Sequence, residues 1–168
     1  MIWRLELKTR TKKRLIKAGW VLFYLYIILL SYFLFFSEHY GRENILEEYR
    51  YNLHLFKEIK RFITYRQRLG LESFVVNILG NVFAFAPFGF MLPLLNERYR
   101  KLFRVFFSSL FFSLSVEVVQ MLLMVGIFDV DDLFLNTLGG LLGYLTFRIS
   151  FAIFGRYETK KKRCSHES

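Results

Sequence analysis

Long apolar runs alternate with polar segments along this chain. A helix rises about 1.5 Å per residue and the hydrocarbon core of a membrane is about 30 Å thick, so about 20 apolar residues span it. The pattern therefore predicts an all-α membrane protein, with four transmembrane helices over residues 18–36, 74–95, 102–125 and 133–154. No small-residue cleavage site follows the first apolar run, so we interpret that run as an uncleaved helix and not as a signal peptide.

The segments that flank these spans are polar and differ in charge. They comprise a basic amino end at residues 1–17, two loops at 37–73 and 126–132, a short basic connection at 96–101, and a basic tail at 155–168. The second loop is acidic and contains no basic residue. The positive-inside rule then predicts a multi-pass protein of the cell membrane, with both termini in the cytoplasm and both loops outside it.

The long first loop has a pattern of its own. Its apolar side chains recur at near-helical spacing, opposite Lys57, Lys60, Arg61 and Arg68. Such a pattern is typical of an amphipathic helix that lies on the membrane surface. A loop helix packed on the transmembrane bundle fits the same pattern equally well.

The net charge of +10 changes this picture little, because the basic residues lie between long apolar runs and not along a soluble surface. We therefore expect the lipid bilayer, and not nucleic acid, as a partner. The only cysteine, Cys164, excludes a disulfide within the chain, and no Cys/His spacing indicates zinc. We expect neither a metal ion nor a cofactor.

Several polar residues interrupt the predicted spans. The most informative is Glu117, since an ionisable residue at membrane depth costs about 2.5–3.5 kcal/mol on insertion scales and so indicates a functional site. Counted from the outer ends of their spans, Asn81, Glu117 and Asn136 lie roughly 5–12 Å deep. The coincidence predicts a pocket that opens to the exterior. Its candidate residues are Asn77, Asn81, Glu117, Gln120, Asp129, Asp132 and Asn136.

Some of these residues also have a purely structural interpretation. Polar side chains in spans often hold helices together, at roughly 0.6–2 kcal/mol per hydrogen bond, and this interpretation is favoured for Asn77 and Asn136 taken singly. The acids of the 126–132 loop, taken alone, are typical of a solvated loop in which Asp132 caps the fourth helix.

The fourth span contains Gly139-x-x-x-Gly143, a spacing that allows another helix to approach closely. That face could serve a homodimer.

Taken together, the motifs resemble one family. They are Asn52-Leu53 with Phe56, Asn81 with Phe85-x-Pro87-x-Gly89, Glu117-x-x-Gln120, and Asp129-x-x-Asp132-x-x-x-Asn136-Thr137-x-Gly139-Gly140. In this order the chain resembles the VanZ-like family of small membrane proteins, from about Asn52 to about Tyr144. The resemblance implies a role at the cell envelope and reduced susceptibility to teicoplanin.

Two positions depart from the family pattern. Leu55 stands where many members have proline, and Gly126 stands where many have arginine. Without that arginine, the carboxyl groups are either partly protonated or paired with Lys57 or Arg61. The loop candidates are therefore Asn52, Phe56, Lys57 and Arg61.

Three hypotheses about the function fit these sequence features. The leading hypothesis is a protein that binds an amphiphile at the outer leaflet, either a lipid-linked cell-wall precursor or a lipoglycopeptide, without catalysis. The first alternative is an intramembrane enzyme in which Glu117, Asp129 and Asp132 supply acid/base groups or ligands for a hard cation such as Mg²⁺. The second is a structural scaffold in the envelope. No Ser-His pair in the sequence suggests nucleophilic hydrolysis.

Overall fold

A computed structural model describes residues 9–36, 51–57, 60, 64 and 71–166 of the chain. The longer helices of this part are α1 (Thr9–Phe36), α2 (Leu71–Leu95), α3 (Leu102–Leu122) and α4 (Val130–His166), with a 3₁₀ turn at Glu97–Arg100. Each of the four α-helices contains a stretch long and apolar enough to cross a membrane. The predicted all-α, four-span class is confirmed. The predicted amphipathic loop helix falls largely outside the described residues.

Two short strands were not expected. Strand β1 (Tyr51–Asn52) pairs in parallel with β2 (Phe128–Asp129), so that Asn52 lies opposite Asp129. We call this end of the molecule the sheet end. The alternating direction of the helices places the 3₁₀ turn and the amino end of α1 at the opposite end, which we call the basic end.

The turn between α3 and α4 lies three residues earlier than the sequence predicted, at residues 123–129 instead of 126–132. Helix α3 ends at Leu122, and the left-handed backbone of Met124 (φ 56°) lies just beyond it. Helix α4 begins at Val130. The prediction that Asp132 caps α4 is therefore wrong, because Asp132 lies inside the first turn. The cap is Asp129, whose Oδ1 accepts a hydrogen bond from the backbone N–H of Asp131 at 2.8 Å.

Glycines bring α2 and α4 into backbone contact. A Cβ atom on Gly89 would overlap the carbonyl oxygen of Gly140, and a Cβ atom on Gly143 would overlap that of Ala86. Gly139 meets the backbone of Val82 in the same way. The predicted close approach thus occurs within one chain. The Gly139/Gly143 face is covered by α2, so the idea that it serves a homodimer is wrong.

Aromatic rings fill the space between α1, α2 and α3. Phe88 stacks on Phe112 with 4.6 Å between ring centroids, and Phe23 of α1 packs against Phe88 at 5.9 Å. Much of the rest of α1 exposes apolar side chains, among them Leu25 and Ile28. Such a surface is stable only where lipid or a partner covers it. The ring packing and the backbone contacts between α2 and α4 join the helices into a frame that fixes the two ends relative to each other.

Candidate functional site

The site at the sheet end begins with a buried carboxyl group on α3. Glu117 is 2% exposed, and its Oε2 accepts a hydrogen bond from the backbone N–H of Asp129 at 3.1 Å. Because Asp129 is both the second residue of β2 and the cap of α4, this bond ties α3 to the point where the chain enters α4.

The first loop reaches the same point. The side-chain Nδ2 of Asn52 donates to both carboxylate oxygens of Asp129, at 3.3 and 3.2 Å, while the two backbones pair as β1 and β2. Four residues further on, the backbone N–H of Phe56 donates to Oδ1 of Asp131. Residues 51–57 therefore lie against the acidic start of α4.

Phe56 adopts an uncommon backbone conformation at this contact. Its φ of 65° lies in the left-handed region, which costs a bulky residue about 1–3 kcal/mol. Its ring packs edge-on against Phe134 of α4 with 5.5 Å between centroids. Strain of this kind is kept only where the surrounding structure over-determines it, and it concentrates at functional sites.

Helix α2 completes the site. The Nδ2 of Asn81 donates to Oδ1 of Asp132 at 2.6 Å. Elements distant in sequence therefore converge on one group of carboxyls, which we call the acidic cluster. Its members are Glu117, Asp129, Asp131 and Asp132.

Deeper in the bundle the polar contacts continue between α3 and α4. The Nδ2 of Asn136 donates to the Oγ of Ser113 at 3.0 Å. The Asn136 Oδ1 and the Ser109 Oγ are both buried and have no hydrogen-bond partner among the described residues. Since Ser109, Ser113 and Glu117 are each four residues apart, they share one face of α3, and that face is polar.

Several predicted site residues do meet here, namely Asn52, Phe56, Asn81, Glu117, Asp129 and Asp132, with Asn136 one turn further in along α4. Gln120 does not join them: its Nε2 donates to the carbonyl oxygen of Leu34 in α1 at 2.9 Å. The prediction that Gln120 lines the pocket is therefore wrong, because its side chain joins α3 to α1.

Of the two cations predicted to pair with the acids, Lys57 lies among the described residues and Arg61 does not. Lys57 has an exposed side chain, and no ion pair joins it to an acid among the described residues. Arg61 lies outside the described part of the chain, as does the side chain of Asn77.

Sequence reasoning missed Asp131, which is 1% exposed and binds the loop backbone. It also missed Ser113. Three acids within four residues looked like a solvated turn, whereas Asp129 and Asp131 are both buried. The spacing of four residues from Ser113 to Glu117 was a signal that could have identified the polar face of α3.

The chemistry of the site is that of a largely buried group of hydrogen-bond acceptors. Carboxylates accept hydrogen bonds from hydroxyl, amide and ammonium groups, and such charge-assisted bonds are roughly twice as strong as neutral ones. Among the described residues, no group of three or more His, Cys, Asp or Glu side chains is arranged to hold a metal ion.

These features define a multi-pass membrane protein with an acidic site at one end of a four-helix frame. A model of the VanZ/LLP1 family matches residues 23–152, which is more than half of the chain. The chain therefore belongs to the VanZ/LLP1 family, and the resemblance in its motifs is confirmed. No curated protein and no solved structure matches it.

Proposed function

We propose that the acidic cluster binds the polar headgroup of an amphiphile at the outer leaflet of the cell membrane. The observation that carries this proposal is a group of four acids of which two, Asp129 and Asp131, bind the loop segment 51–57, while Glu117 binds the backbone of Asp129. Helix cohesion alone requires no carboxylate, since amides and hydroxyls hold helices together at lower cost.

The side of the membrane follows from charge. Residues at the basic end include Arg10, Lys13, Arg14, Lys17, Arg98, Arg100, Lys101 and Arg104. Positive charge near short loops is retained in the cytoplasm, so both termini belong there and the sheet end faces outward. A ligand of the acidic cluster then comes from the exterior or from the outer leaflet.

The surroundings of the cluster favour an amphiphile over a wholly polar ligand. The loop segment that contacts the acids also exposes Tyr51, Leu53 and Leu55, and it exposes part of the Phe56 ring. A ligand that places donor groups on the carboxylates would lay an apolar chain along these side chains. Lipid-linked cell-wall precursors and lipoglycopeptides of the teicoplanin type both combine a headgroup that contains hydrogen-bond donors with a long apolar chain.

The biological consequence is reduced susceptibility to such drugs, which is the family association carried to this chain. By retaining the acylated drug or its lipid-linked target, the protein would lower the amount of productive drug–target complex. The same chemistry predicts little protection against a glycopeptide without an acyl chain.

A binding assay in nanodiscs tests this proposal. Wild type, Glu117→Gln and Ser115→Ala are compared for retention of a lipoglycopeptide with and without its acyl chain. Glutamine can still accept from Asp129 but has no charge, and Ser115 is an exposed residue of the same helix. We expect wild type and Ser115→Ala to retain the acylated drug more strongly than the deacylated one, and Glu117→Gln to retain both forms less than wild type does.

Equal retention of both ligands by wild type and Glu117→Gln would refute the binding role. The neighbouring buried acids Glu117 and Asp129 favour one other function, acid/base catalysis on a lipid-linked substrate. Turnover of such a substrate that depends on a divalent cation and is lost in Asp132→Asn would put the enzyme ahead of the binder.

A further inference from the structure

A cleft lies at the basic end, at the opposite end of the helices from the acidic cluster. It has a volume of about 730 Å³ and opens between the 3₁₀ turn and the first two turns of α3. The residues that line it include Asn96, Arg98, Tyr99, Phe103, Arg104 and Phe107. One rim is thus basic and one side is aromatic.

Both arginines of the rim are positioned by the backbone around them. The Nη1 of Arg104 donates to the carbonyl oxygen of Arg98 at 2.6 Å, which leaves its other N–H groups for a ligand. The backbone N–H of Arg98 donates to Oδ1 of Asn96 at 3.0 Å.

Neither arginine pairs with an acid within the described part of the chain. Glu97, the carboxylate nearest in sequence, pairs with Arg100 at 3.4 Å instead. Two cations with no carboxylate beside them attract an anion. Arginine is suited to phosphate in particular, because its planar fork donates two parallel hydrogen bonds to phosphate oxygens.

The aromatic side of the cleft continues along the membrane. Phe103, Phe107 and Phe111 are four residues apart on α3, and they are 74%, 49% and 62% exposed. The ring planes of Phe107 and Phe111 are inclined by 29°, with 6.4 Å between centroids. This stripe runs from the cleft toward the middle of the bilayer, in the direction that the acyl chain of a lipid takes from its headgroup.

We propose that the cleft binds an anionic phospholipid, with the phosphate between Arg98 and Arg104 and an acyl chain along the Phe103–Phe107–Phe111 stripe. Basic pockets between transmembrane helices on the cytoplasmic side are known to bind anionic lipid headgroups. The aromatic stripe favours a lipid over free phosphate, since free phosphate has no apolar part that could pack against the rings. The site does not depend on the function proposed for the acidic cluster.

The test uses purified full-length protein in detergent, titrated with phosphatidylglycerol, with phosphatidylcholine of the same acyl chains, or with inorganic phosphate. Thermal unfolding and native mass spectrometry report binding. We expect phosphatidylglycerol to bind more tightly than the other two. The variant Arg98→Gln/Arg104→Gln should lose roughly fivefold in affinity for each arginine removed.

The matched control is Arg10→Gln/Arg14→Gln, which removes the same charge from exposed positions on α1 at the same end of the molecule. It should bind phosphatidylglycerol as wild type does. Equal loss in both double variants would overturn the proposal in favour of diffuse attraction. Equal binding of the two lipids, or full binding of inorganic phosphate, would overturn it too. If the double variant does not fold, the comparison of the three ligands on wild type decides alone.

Discussion

The two ends of this molecule handle charge in opposite ways. At the sheet end, acids such as Glu117 and Asp131 are buried and hydrogen-bonded to other elements of the chain. At the basic end, cations such as Arg98 and Lys101 are exposed. Exposed charge costs almost nothing to maintain and suffices to orient the protein in a membrane. Buried charge must be compensated by fixed partners, so its presence indicates a site.

The helical frame keeps the two ends in a fixed arrangement. Of the changes considered below, Gly89→Ala should destabilise this frame the most. The new methyl group would overlap the backbone oxygen of Gly140, where no flexible side chain can move aside. We expect a loss of about 3 kcal/mol or more in the free energy of unfolding, at the upper end of overpacking effects. Thermal unfolding in detergent measures it.

The control for that change is Gly19→Ala, whose methyl group meets the end of the flexible Leu95 side chain. It should be tolerated much better. Equal losses in the two variants would mean that α2 and α4 do not touch through their backbones.

Removing the carboxyl group of Glu117 should have the next largest effect. In Glu117→Leu the buried N–H of Asp129 loses its acceptor, which costs about 1–3 kcal/mol. Glu117→Gln keeps an acceptor for this N–H. Its free energy of unfolding should therefore lie within about 0.5 kcal/mol of the wild-type value. A leucine variant as stable as wild type would show that the α3–α4 turn does not depend on this contact.

A smaller effect is expected from Asn52→Ala, which releases the loop from Asp129. A hydrogen bond to a charged group contributes about 1.5–3 kcal/mol, and solvent can replace part of it in this loop. Hydrogen exchange of residues 51–57 and a double-mutant cycle with Asp129→Ala measure the coupling. Strictly additive effects of the two changes would contradict the contact between loop and cap.

The smallest effect on stability is expected at the basic end. Arg98 is exposed, so Arg98→Gln should change the free energy of unfolding by less than about 0.5 kcal/mol. Thermal unfolding without added anionic lipid is the appropriate measurement. A loss as large as that of Glu117→Leu would remove the contrast between the two ends.

The sequence predicted the frame well, because hydropathy and helical rise depend on local composition. It also placed Glu117, Asn81 and Asp132 near one end, since depth can be counted along each helix. It did not predict the pairing of Asn52 with Asp129, which joins residues far apart in the chain. Nor did the sequence predict that the Gln120 side chain points toward α1. The position of α1 depends on packing that no local pattern encodes.

The most direct measurement is the teicoplanin susceptibility of cells that contain equal membrane levels of wild type, Glu117→Gln or Arg10→Gln. We expect protection by wild type and by Arg10→Gln, and loss of protection in Glu117→Gln although the protein remains folded. Protection by Glu117→Gln equal to that of wild type, or no protection by wild type, would contradict the role proposed for the acidic cluster.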